Sequence, residues 1–135
     1  MEAAQRFLEA KERDQVGSEG WSKATAAAFD LLRREQCAEV AKPEWWNDQG
    51  LKALSARVVR AAPNDDRAIK MRALVLSGDD HAWVAGPRSA AELKEAATHF
   101  ERSAALCPAP VVKAGRARLA AWCRSLAEDP KRPCG

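Results

Sequence analysis

Apolar side chains recur three and four positions apart through most of the chain, the spacing that gathers them on one side of an α-helix. Glycines and prolines cut this pattern into six helical segments. The first is expected over Glu2 to Gln15, with Ala4, Phe7 and Leu8 on one side, ending at Gly17, Ser18 and Gly20. The second starts near Trp21 or Ser22 and continues toward Val40, stopping ahead of Pro43 because a residue before proline avoids helical geometry. The third begins at Asp48, read as its N-cap, and places Leu51, Leu54, Val58 and Val59 on one face before Pro63. Asn64 or Asp65 caps the fourth, whose stripe of Ile69, Ala73 and Leu76 ends at Gly78.

A polar, turn-rich stretch from Asp79 to Arg88 separates this helix from the fifth. There Ser89 and Glu92 form an S-x-x-E capping box ahead of Leu93, Ala96, Ala97, Phe100 and Ala104. Pro108 and Pro110 close that helix and open the sixth, which extends to about Ala127. Residues 1–128 are therefore expected to form one all-α domain, and 129–135, with two prolines and little to bury, a flexible tail.

Composition agrees with helix, since alanine is abundant and the β-branched residues that strands favour are few. The formal charge of +3 is too small to mark a nucleic-acid protein. Its distribution is uneven: Lys113, Arg116, Arg118, Arg124, Lys131 and Arg132 near the end face only Glu128 and Asp129, which suits an acidic partner. No apolar run approaches the length needed to cross a bilayer, and the mixed charges of the first residues do not resemble a signal or transit peptide, so a cytoplasmic protein without membrane contact is expected. Cys37, Cys107, Cys123 and Cys134 contain no C-x-x-C pair; Cys107 and Cys123 read as core thiols.

Shifted by 45 or 46 residues, the third and fourth segments compare with the fifth and sixth. Arg57 and Pro63 fall on Arg102 and Pro108, and Arg67-Ala68-Ile69-Lys70-Met71-Arg72 on Lys113-Ala114-Gly115-Arg116-Ala117-Arg118. The small, aromatic, small and proline sequence of Ala96, Phe100, Ser103 and Pro108, and the Pro63-Asn64-Asp65 start followed by Ile69, Ala73 and Leu76, resemble the tetratricopeptide repeat (TPR) family. That resemblance covers roughly residues 48–126 and implies stacked antiparallel helix hairpins, a TPR-like α-α superhelix of about six helices. Its departures are specific: the repeat is longer than the family's 34 residues or so, Arg72 stands where the family prefers leucine, and Ser55 where it prefers an aromatic. The sixth segment is expected to cap one end of the stack and the first segment the other.

Two groups of residues are candidates for contact with a partner. Trp45 and Trp46 lie in one hairpin turn and Trp83 in the lengthened next turn, so stacking brings all three to one edge. Turns are normally polar, and aromatic anchors are enriched at interfaces, so at least one ring is expected to be exposed; the competing reading is that each plugs its own helix pair. Arg67 with Lys70, and Lys113 with Arg116, are basic pairs on helices that line the concave face in the resembled family. They suit an acidic peptide, or else form a solvated basic face.

Signs of catalysis are thin. Glu92, Glu95 and His99 share a helical side without the Glu-x-x-His spacing of carboxylate metal sites, and Asp79-Asp80-His81 reads as a polar turn. Gly-rich phosphate loops, serine elbows and zinc-type cysteine spacing do not occur, so no metal, cofactor or enzymatic activity is expected. The expected function is a protein-interaction scaffold that binds a peptide or partner helix. The alternatives are an RNA-binding helical protein and a self-associating subunit, for example a homodimer.

Overall fold

A computed structural model of the chain describes Glu9 and residues 15–33, 43–78 and 83–128. The described residues form helices and connecting turns without strands, in five helices: α1 (Glu19–Leu32), α2 (Asp48–Ala61), α3 (Asp66–Ser77), α4 (Ala90–Leu106) and α5 (Pro110–Glu128). Most of the expected first segment, the extension of the second toward Val40, Cys37, Asp79-Asp80-His81 and the tail with Cys134 lie outside the described residues.

The helix starts follow local chemistry. Ser18, Asn47, Asp65 and Ser89 each accept a hydrogen bond from an otherwise unpaired first-turn N–H. Ser89 and Glu92 close the complete capping box. Asp48 is not the cap that the sequence suggested. Asn47 takes that place by accepting from Gly50 N, because its amide also reaches back to Glu44 O, and Asp48 becomes the first helical residue with its carboxylate free to turn elsewhere. Gly78 ends α3 in the left-handed region at φ 67°, a conformation that glycine adopts without steric cost.

Successive helices pack on one another, and α1 packs on α3 as well as on α2. Trp21 and Phe29 of α1, Leu51 and Val58 of α2, and Met71 and Val75 of α3 form the first core cluster. A second joins Ala73 and Leu76 of α3 to Ala96, Ala97 and Phe100 of α4 and to Ala120 and Cys123 of α5. Small residues at the crossings let the helix axes approach, and Phe100, 2% exposed, fills the space they leave. Two hydroxyls within these contacts are paired: Ser22 Oγ donates to Val58 O at 2.6 Å, and Thr25 Oγ1 to Trp21 O at 2.7 Å.

The last helix departs from expectation. Only Ala120, Cys123 and Ala127 of α5 are buried, and its outer face is not the polar one expected of an end cap, since Val111, Val112 and Trp122 are exposed. Cys123 is the core thiol expected, but Cys107 sits at the end of α4 and is only half-buried.

Candidate partner-binding groove

Three helices that alternate along the chain line a groove of about 130 Å³. Its apolar floor comes from Phe29, Met71 and Leu74; its charged rim is Asp30 of α1, Asp66, Arg67 and Lys70 of α3, and Arg116 of α5. Three of the four expected basic residues therefore meet at one place. Lys113 is exposed near the start of α5 and does not line the groove.

The groove is less simply basic than the sequence implies, because two carboxylates stand among the cations. Arg116 Nη1 donates to both oxygens of Asp66 at 2.9 Å and to Ser103 Oγ at 2.7 Å, while Ser103 Oγ donates to Asp66 Oδ1 at 2.7 Å. This triad fastens α5 to α3 and α4. Lys70 Nζ stands 3.9 Å from Asp30 Oδ1, which also pairs with Arg33. Burial pushes the Lys70 ammonium below its ordinary value and the nearby Arg33 and Arg116 add to that, against the pull of Asp30. Arg67 is exposed and has no ion-pair partner among the described residues. Three cations against two carboxylates leave a net charge of +1 at the rim.

Trp45, Trp46 and Trp83 do gather at one edge, but not as open anchors. Trp46 packs on Phe29 with ring centroids 5.6 Å apart and on Trp83 at 6.1 Å, and Trp45 lies against Trp46 at 5.8 Å. Trp83 is 7% exposed, and the other two are partly buried against the first core cluster. The expectation that one ring stands exposed fails because Phe29 offers an apolar surface where the two turns meet, and the rings fill it.

Asp48 holds this arrangement. Its carboxylate accepts from Trp83 Nε1 at 3.1 Å, from Gly86 N at 3.3 Å and from Arg88 Nη1 at 2.9 Å, across nearly forty residues of chain. Arg88, with a side chain 5% exposed, also donates to Gly86 O and Val75 O. Burial opposes the Asp48 charge, but the hydrogen bonds from Arg88, Trp83 and Gly86 outweigh it and hold the carboxyl at about 2. The lengthened turn is thus tied to the start of α2. Nothing in the sequence singled out Arg88, although an arginine between Pro87 and a helix cap is a signal of sorts.

Arg72 and Ser55 meet in space. Arg72 Nη1 donates to Ser55 Oγ at 3.1 Å and to Lys52 O at 2.8 Å, and Arg72 Nε donates to Glu95 at 3.0 Å. These bonds form a polar strut across α2, α3 and α4. His99, four residues beyond Glu95, lies 3.1 Å from the same carboxylate; burial lowers its pKa in spite of Glu95, and its Nδ1 is buried without a hydrogen bond. Among the described residues no group of three or more His, Cys, Asp or Glu side chains could hold a metal ion, and no helix is long and apolar enough to cross a membrane. Comparison with known protein families, curated proteins and solved structures finds no match to this chain.

Proposed function

We propose that the chain is a non-catalytic interaction module, a TPR-like stack of helix hairpins, that holds a peptide in the groove between α1, α3 and α5. One observation carries the reading: charged side chains from three separate helices converge over an apolar floor of Phe29, Met71 and Leu74. Fixed charges of this kind orient a bound peptide, and since Phe29 and Met71 are each only 1% exposed the contact rests on charge more than on apolar area. Arg67 and Lys70 favour a carboxylate on the partner, whereas Asp66 is already committed to Arg116 and Ser103. The contact replaces no internal bond of Arg67, so the partner gains a charge-assisted hydrogen bond at little cost to the fold. A reducing, cytosol-like compartment suits the buried thiol of Cys123.

The RNA-binding alternative draws no support from Trp45, Trp46 and Trp83, whose rings lie against Phe29 or one another instead of standing open for bases. Selection from a random-peptide display library against the wild-type chain tests the proposal. Peptides enriched in Asp and Glu over apolar residues are expected, and they should lose binding to Arg67→Glu and Lys70→Glu. Recovered peptides without acidic enrichment, or with equal binding to both variants, would remove the groove as the site.

A further inference from the structure

The outer side of α5 carries an open apolar stripe. Val111, Gly115 and Trp122 share one side of the helix, with Leu119 and Leu126 along its edge. Val111 is 85% and Trp122 39% exposed, and a Cβ added at Gly115 would meet nothing. The matching side of α3 is covered. In the register that places Arg67 on Lys113, Ala73 and Leu76 of α3 correspond to Leu119 and Trp122, and α3 buries both in the cluster that contains Phe100 of α4. The helix that covers α3 has no counterpart over α5 among the described residues.

The chain contains one more segment patterned like α4. Ala96, Phe100 and Ser103 of α4 are matched in spacing by Ala3, Phe7 and Ala10. In that alignment the partners on the two surfaces change together. Arg72 of α3 pairs with Glu95 of α4 at 3.0 Å; the counterparts are Arg118, which has no ion-pair partner among the described residues, and Glu2. Asp66 of α3 accepts from Ser103 of α4 at 2.7 Å. Its counterparts are Val112 and Ala10, so an apolar pair replaces a polar one. Leu76 and Phe100 become Trp122 and Phe7. The alignment has departures: Leu93 of α4 has no counterpart, Arg6 stands for the half-buried His99, and Lys11 stands where α4 buries Ala104, a site at the end of the contact from which a lysine stem can reach water.

We infer that the open stripe of α5 receives residues 1–14 of a second copy of this chain, so that copies join head to tail. The tether between this segment and α1, residues 15–18, spans at most about 14 Å. The segment enters α1, which packs on α2 and α3, while α5 packs on α4; closure onto the chain's own α5 would instead leave the wild type monomeric. The contact between copies joins two different surfaces and leaves each free end able to add a further copy. It does not depend on the groove.

Sedimentation velocity of the full chain over a concentration series tests the inference. The wild type is expected to grow beyond a dimer as concentration rises, and Lys70→Glu to behave likewise. Trp122→Glu and Phe7→Glu should each remain monomeric, and their equimolar mixture should form a one-to-one dimer and nothing larger, because one supplies the intact stripe and the other the intact segment. Glu2→Arg and Arg118→Glu should each weaken association roughly threefold, as an exposed ion pair would, and recover when mixed. If Trp122→Glu loses helical circular dichroism, Gly115→Arg serves in its place, since its side chain enters open space. A wild type that stays monomeric, a loss with Trp122→Glu but not with Phe7→Glu, or a mixture that stays monomeric overturns the head-to-tail contact.

Discussion

Replacing Asp48 by alanine removes the one carboxylate that faces Arg88, Trp83 Nε1 and Gly86 N together. Its depression from 3.8 to about 2 corresponds to roughly 2 kcal/mol of folded-state stability at neutral pH. The variant loses more than this, because Arg88, 5% exposed, is left buried without its counter-charge, and breaking such pairs costs about 3–5 kcal/mol. A loss of about 3 kcal/mol is therefore expected from urea unfolding followed by circular dichroism. Because the folded pKa lies below the unfolded one, the contribution is complete above about pH 4 and fades as the pH falls toward 2. The wild type and Asp48→Ala should converge over that window. Asp48→Ala combined with Arg88→Leu should cost less than the two single changes added together, since the second removes the stranded charge. A loss below about 0.5 kcal/mol, the size of an exposed pair, or strict additivity would refute the claim that this clamp ties the turn to α2.

Arg72→Leu should cost about 1–2 kcal/mol by removing the donor to Ser55 Oγ and one of the donors to the Lys52 carbonyl, which keeps Ser55 Oγ, and the cost of Ser55→Ala should be smaller in that background than in the wild type, as a double-mutant cycle would show. Gly78→Ala should lower stability by about 1 kcal/mol or more, because φ is 67° and the new Cβ would fall 2.9 Å from Arg88 Nε, whereas Gly115→Ala on α5 should raise it by up to about 1 kcal/mol. Thermal unfolding of the two variants side by side reads the opposite signs. Phe100→Ala should cost about 3–5 kcal/mol in the same assay, since its ring is 2% exposed at the meeting of three helices.

Helix boundaries were legible because they are local. Ser89 with Glu92 and Gly78 act within a turn of their own position, and each stands where the sequence put it. Asp48 was misread for an instructive reason: its own helix start offers Asn47 first, and the carboxylate's partners lie in a turn nearly forty residues away. No periodicity encodes such a pairing. The same holds for Ser55 with Arg72, two residues that looked like separate irregularities until the fold placed them in contact. The tryptophans were located correctly at one edge but judged too exposed, because the polarity of turns says nothing about Phe29 waiting beneath them. Of the four basic residues expected to act together, Arg67, Lys70 and Arg116 share the groove; the carboxylates that temper them, Asp66 just before Arg67 and Asp30 three residues before Arg33, were in plain view beside basic residues, but only the fold shows that they face the same space.

The most direct test of the account is nuclear magnetic resonance mapping of a display-selected acidic peptide on the isotope-labelled chain. Shift changes concentrated at Ala26, Arg67, Lys70, Met71, Leu74 and Arg116 are expected, with α2 and the outer side of α4 silent. Changes confined to Trp45, Trp46 and Trp83, or to α2 and α4, would contradict the claim that the groove between α1, α3 and α5 is what this fold presents to its partner.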